Sequence, residues 1–214
     1  MKICVITCTR ADFGLLKNLI LEIKKNKKFS LSILASGSHF SKRFGNTYKE
    51  IIKNKINIDE KIIFKSLPDN IMGISKVFSK SIINTTHIFK KINPDLVLVV
   101  GDRYEILASV ISAHLSRIPV AHIHGGEVTH GAIDDAFRHS ITKMSHIHFV
   151  ANKIYKKRVI QLGENPRTVH LVGGMGIDNI NKLRLLNKKD LERKLSFKLS
   201  KKNLLVTFHP VTLE

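Results

Sequence analysis

The residues of this sequence that can move protons or hold anions fall into short clusters. Four are Thr9-Arg10-Ala11-Asp12, Ser36-Gly37-Ser38-His39, Gly101-Asp102-Arg103 and His124-Gly125-Gly126-Glu127; a fifth set is Asp134, Asp135, Arg138 and His139. Arg10 stands between an apolar run and a helical pattern, where a cation beside a helix start suits a phosphate or diphosphate. The alternative is an ion pair with Asp12 that staples the loop. Neither a G-x-G-x-x-G pattern nor a P-loop lysine accompanies it, which argues against a dinucleotide or nucleotide-motor site. Asp102 follows a near-continuous apolar run, and serves there either as a base or cation stabiliser or as the N-cap of the next helix.

His122 and His124 share a strand face if the strand reaches His124. With Glu127 and His130 they could form a metal set, but tetrahedral ligand spacing and a second short cluster are missing. No metal and no cofactor are expected. Gly125-Gly126 lets a ligand approach the backbone closely. Asp134 with Arg138, and Asp135 with His139, are i,i+4 pairs on two helix faces, one expected to point into a cleft. Acidic residues at a helix start are equally ordinary capping chemistry. His146 and His148 read as structural.

Positioning these clusters requires strands that end where they begin. The apolar runs Ile3 to Ile6, Phe29 to Ala35, Ile62 to Phe64, Asp95 to Val100, Val120 to Ile123, Ile147 to Ala151 and Val169 to Val172 read as strands, alternating with helical patterns. Asp12-Phe13-Gly14 reads as a turn, Ile71 to Ile92 as a long helix closed by Asn93-Pro94, and Asp135 to Met144 as another helix. Such alternation predicts an α/β doubly wound parallel sheet, whose ligands sit at the carboxyl ends of the strands. The polar clusters fall at those ends. Residues 1–172 make the expected first domain. Residues 173–214, with a glycine-rich joint at 173–176, a charged helical stretch and a last strand from Asn203 to Phe208, are expected to be a linker and the truncated start of a second domain.

The 214 residues carry 36 basic and 17 acidic side chains, a net charge of +19. That excess raises a nucleic-acid reading. From residue 98 to 150, however, four basic residues face five acidic ones and seven of the eleven histidines. The surplus lies in runs such as Lys24 to Lys28 and Lys182 to Lys202, with no tryptophan and few interleaved aromatics, so a solvated surface is expected rather than a base-stacking groove. Neither a membrane span nor a secretory signal is expected. Cys4 and Cys8 make neither a disulfide framework nor a zinc site. A cytoplasmic protein is expected.

Thr7-Cys8-Thr9-Arg10-Ala11-Asp12-Phe13-Gly14 and Gly101-Asp102-Arg103-Tyr104-Glu105 resemble the hydrolysing UDP-N-acetylglucosamine 2-epimerases. The resemblance sharpens at His122-Ile123-His124-Gly125-Gly126-Glu127, Gly131-Ala132-Ile133-Asp134-Asp135 and Arg138-His139-Ser140-Ile141-Thr142-Lys143. It continues through Gln161-Leu162-Gly163-Glu164 to His209-Pro210-Val211-Thr212. It points to the branch that makes sialic and related nonulosonic acids. It implies the N-terminal, Rossmann-like half of a GT-B-type two-domain fold and a homo-oligomer, dimer or tetramer. The implied reaction takes UDP-N-acetylglucosamine to N-acetylmannosamine and UDP, by anti elimination to a 2-acetamidoglucal and syn hydration. Because the C2 proton of a sugar is weakly acidic, C1–O cleavage should run ahead of deprotonation, and carboxylates can stabilise the resulting oxocarbenium character.

By motif position the resemblance implies catalytic roles for Asp102, Glu127, Asp134 and His209, and substrate contacts from Arg10, Asp12, Arg103, His124, Asp135 and Arg138. His124 stands where the family often has a glutamate, so either it or Glu127 takes that acid–base role. The nearest enzyme alternative acts on UDP-2,4-diacetamido-2,4,6-trideoxyglucose; the non-hydrolysing epimerases match less well. A basic nucleic-acid-binding module, from another class, explains the charge but not the carboxylates at the strand ends.

Overall fold

The computed structural model describes residues 1–64 and 70–208. In chain order the elements are β1 (Lys2–Thr7), α1 (Arg10–Lys25), β2 (Ser30–Ala35), α2 (Tyr48–Lys53), β3 (Glu60–Lys61), α3 (Ile71–Ile92), β4 (Leu96–Val100) and α4 (Tyr104–Leu115). Then follow β5 (Val120–Ile123), α5 (Asp134–Lys143), β6 (Ile147–Val150), α6 (Lys153–Gln161), β7 (Val169–Leu171), α7 (Met175–Lys182) and α8 (Lys188–Leu195). Every strand pair is parallel, and the sheet order is β3-β2-β1-β4-β5-β6-β7. This is the expected doubly wound, Rossmann-like arrangement. The winding reverses between β1 and β4, so the loops leaving these two strands part and open a crevice at their carboxyl ends.

The two central strands are buried on both faces. Ile3 and Val5 of β1 pack with Phe13, Leu16 and Ile20 of α1. Cys4 and Ile6 point the other way, with Val97, Val99, Phe89 of α3, and Ile106 and Val110 of α4. Each fully buried aliphatic side chain there contributes about 1.5–3 kcal/mol relative to exposure. Both cysteines are free, and burial pushes the Cys4 thiol up to about 12, so it stays protonated and inert. Asn70 caps α3 by accepting from the Gly73 N–H at 2.8 Å, and Asn93 ends it in the left-handed region, matching the predicted helix.

Three local expectations are corrected. Asp12-Phe13-Gly14 is not a turn but the first stretch of α1, because Thr9 and Asp12 form a capping box that starts the helix at Arg10. The third strand lies at Glu60–Lys61 rather than Ile62 to Phe64, since β2 ends at Ala35, opposite Lys61. Asn203 to Phe208 forms no strand: no described strand lies beside it, and Leu204, Leu205, Val206 and Phe208 are exposed. The charged stretch after 173 divides into α7 and α8, and α7 packs on α1. Asn179 donates to the Gly14 carbonyl at 2.7 Å and accepts from Asn18 at 2.5 Å. Lys24, Lys25, Lys27 and Lys28 are all exposed, as predicted. No helix among the described residues is long and apolar enough to cross a membrane.

Gly126 has φ +79°, and a Cβ there would lie 2.6 Å from the Tyr155 carbonyl oxygen and 2.8 Å from Val159 Cγ2. Gly125 is similarly tight against Thr142 and His122. The close approach at Gly126 is that of α6, and at Gly125 that of Thr142 of α5 and His122 of β5. Gly126→Ala is expected to destabilise the fold by about 2–3 kcal/mol through overpacking and a strained φ. Urea denaturation checks this; a midpoint equal to that of the parent refutes it.

Candidate active site

The crevice between β1 and β4 holds a cleft of about 630 Å³, with Arg10, Ser38, Thr47, Asp102, Glu105 and Asp134 on its walls. One wall is the start of α1. Thr9 accepts from the Asp12 N–H at 3.2 Å, while the Asp12 carboxylate accepts from the Cys8 N–H at 2.8 Å and the Thr9 N–H at 3.0 Å. Asp12 is thus turned inward and buried, a cap rather than a cleft residue. Burial raises its pKa, while the surrounding donors hold it down. Thr9, Arg10 and Ala11 are left at the cleft, on the positive end of a 16-residue helix. Arg10 pairs at 3.1 Å with Glu50, not with Asp12; at 73% and 45% side-chain exposure this bond is weak enough to yield to an anion.

The opposite wall carries the carboxylates. The helix cap after β4 is Arg103, with no side-chain bond, so Asp102 is not consumed in capping. Asp102 is paired with Arg138 of α5, whose side chain is buried. Arg138 also donates to Asp135 at 3.2 Å and to Thr129 at 3.1 Å. The expected i,i+4 pairing of Asp134 with Arg138 is replaced by this i,i+3 pair from Asp135, which also lies 3.6 Å from His139. Asp134 instead lines the cleft. Its pKa is raised by burial and, next, by the charge of Asp102.

Arg103 grips Glu105 with two bonds of 3.1 and 3.0 Å. Burial opposes the Arg103 charge, but the charge and hydrogen bonds of Glu105, with smaller contributions from other neighbours, together raise its pKa. Burial, then Glu105, likewise raises that of Tyr104. Sequence reasoning singled out neither Glu105 nor the buried chain Asp12–Thr7–His39–Thr47 behind the cleft. A signal for the latter was present, because His39 sits in the strand-end cluster after β2. Its ring lies 2.9 Å from both Thr7 Oγ1 and Thr47 Oγ1.

The two histidines of the β5 motif part company. β5 ends at Ile123 and His124 has φ +67°, so they do not share a strand face. His122 is fully buried and bonds the Gly101 carbonyl at 2.8 Å, fixing the loop just before Asp102. Burial lowers its pKa to about 3, so it is neutral. His124 accepts from the Met175 N–H at 3.4 Å and therefore donates from Nδ1 to Glu127 at 2.6 Å. Neither His124 nor Glu127 is among the residues lining the cleft. His209 lies outside the described residues. Among the described residues no group of His, Cys, Asp and Glu side chains is arranged to hold a metal ion.

An open parallel sheet wound in both directions, with its cleft at the switch point, defines a Rossmann-like α/β domain. The chain belongs to the UDP-N-acetylglucosamine 2-epimerase family, whose profile, described in those words, matches residues 21–214. It is 46% identical over 212 residues to a Campylobacter jejuni protein named GDP/UDP-N,N'-diacetylbacillosamine 2-epimerase (hydrolyzing), covering 99% of this chain and 55% of that one. A Legionella pneumophila protein named UDP-N,N'-diacetylbacillosamine 2-epimerase (hydrolyzing) is 35% identical over 213 residues, covering 100% and 56%. The crystal structure of a Neisseria meningitidis UDP-GlcNAc 2-epimerase bound to UDP-GlcNAc superposes with a TM-score of 0.78 at 22% identity, covering 92% of this chain and 54% of that one. The chain thus spans about half the length of the curated relatives it matches.

Proposed function

We propose that this chain supplies the N-terminal wall of a hydrolysing UDP-sugar 2-epimerase, residues 173–214 opening the second half. The observation that carries this reading is one cleft with the start of α1 and Arg10 on one side and Asp102 and Asp134 on the other. The α1 N-terminus and Arg10 take the diphosphate, with Arg103 at the cleft edge. In the elimination the C1–O bond breaks, its electron pair leaves on UDP, and the C2 proton passes to a carboxylate as C1=C2 forms. In the hydration water gives hydroxide to C1, and a proton returns to C2 from the other face. Asp102, tethered by Arg138, suits the charge at C1. Asp134, whose raised pKa favours its acid form, suits proton transfer. Arg138 and Asp135 hold Asp102 rather than touch the sugar. The His124–Glu127 couple is proposed for the neighbouring strand end, and His209 for the interdomain crossing.

Of the two substrates, the diacetamido sugar is favoured over UDP-N-acetylglucosamine by the 46% identical relative named for N,N'-diacetylbacillosamine. Both UDP-sugars, incubated with the complete gene product in D₂O and followed by NMR, test the reading. Release of UDP with inversion and one deuterium at C2 is expected. Release without inversion makes it a plain hydrolase, and no release overturns the proposal. The 214-residue chain alone is expected to release negligible UDP, because the second wall that orients and shields the sugar is missing.

A further inference from the structure

The buried chain behind the cleft has a direction. Asp12 accepts from the Cys8 and Thr9 N–H groups and from the Thr7 hydroxyl at 2.5 Å, a donor set that matches a carboxylate. Thr7 has one proton. Its other acceptor, the Thr9 carbonyl, is at 3.4 Å, so the proton goes to Asp12. Thr7 must then accept from His39, which fixes the proton on Nε2. His39 is fully buried and neutral, burial lowering its pKa to about 4. Its Nδ1 is therefore bare and accepts the hydroxyl proton of Thr47 at 2.9 Å. Thr47 precedes α2 but makes no capping bond with its side chain, so no N–H of that helix occupies its oxygen lone pairs.

We propose that Thr47 is a specificity-determining residue: held as a donor to His39, it offers the cleft only oxygen lone pairs, so the substrate group at this wall is a hydrogen-bond donor. That group is a sugar hydroxyl or an acetamide N–H, not a phosphate oxygen, which the lone pairs repel. The inference rests on the UDP-sugar reading and adds to it an orientation, with the diphosphate at Arg10 and the sugar at Thr47.

Two experiments test it. Long-range ¹H–¹⁵N correlation spectra of the 214-residue chain report the His39 tautomer. The Nε2–H form is expected; the Nδ1–H form frees the Thr47 proton and overturns the proposal. The second is binding of the UDP-sugar, of its 3-, 4- and 6-deoxy and N-methylacetamido analogues, and of UDP, to the complete gene product and to Thr47→Val and Thr47→Ser. One analogue is expected to bind the parent protein about five- to tenfold more weakly, a difference erased in Thr47→Val and kept in Thr47→Ser. An equal loss for every sugar analogue, or an equal loss for UDP alone, overturns it. If the parent binds no UDP-sugar, the function proposed above falls and this inference with it. Binding without coupling to Thr47 removes this inference alone.

Discussion

Asp102→Asn in the complete gene product is expected to cut turnover by on the order of 10²–10⁴ while leaving the fold intact. Asparagine keeps an oxygen to accept from Arg138, so the buried guanidinium is not stranded. What is lost is the negative charge at the cleft wall, and with it stabilisation of positive character at C1. A second consequence concerns Asp134. Its pKa is raised by burial and then by the Asp102 charge. Removing that charge should lower it, so any limb of the pH–rate profile that requires protonated Asp134 should move to lower pH. Steady-state rates across pH check both statements. Asp134→Asn is expected to be similarly slow. Near-parental rates for both variants would remove the carboxylates from the mechanism.

Arg138→Met is expected to lower the unfolding free energy by about 2–4 kcal/mol, because it leaves Asp102 and Asp135 without their shared cation. That is less than for a fully buried pair, since both carboxylates keep some contact with water. Lys53→Ala, on an exposed face, should stay within about 0.5 kcal/mol of the parent. Arg138→Lys keeps the charge but cannot reach Asp102, Asp135 and Thr129 together, so it should fold yet lose turnover with little change in KM. Urea denaturation and steady-state kinetics read these out. An Arg138→Met midpoint no lower than that of Lys53→Ala would mean that the cluster does not hold this end of the sheet.

The α1 wall shows how far local patterns reach. Arg10 at a strand exit before a helical repeat was legible as a cation beside a helix start, since helix start and cation are both encoded within a few residues. Its partner was not: Glu50 is 40 positions away, and only the packing of α2 brings it near. The glycine pair after β5 was legible as a close approach, but not what approaches. The positive φ at Gly126 and the position of α6 decide that.

By itself, the sequence determined the alternation of strands and helices, the limits of α3, the two-sided burial of β1 and β4, and the gathering of polar clusters at the strand ends. All of these follow from periodicities of 2 and 3.6 residues and from caps, which act over a few residues. Only the tertiary structure decided which of Asp134 and Asp135 enters the cleft, that Arg138 holds Asp102 from 36 residues away, that His122 and His124 part, and that the His39 ring meets the Thr47 hydroxyl. Those outcomes depend on the path of the loop between β5 and α5 and on how α2 and α5 pack against the sheet. Local periodicity does not encode such long-range contacts.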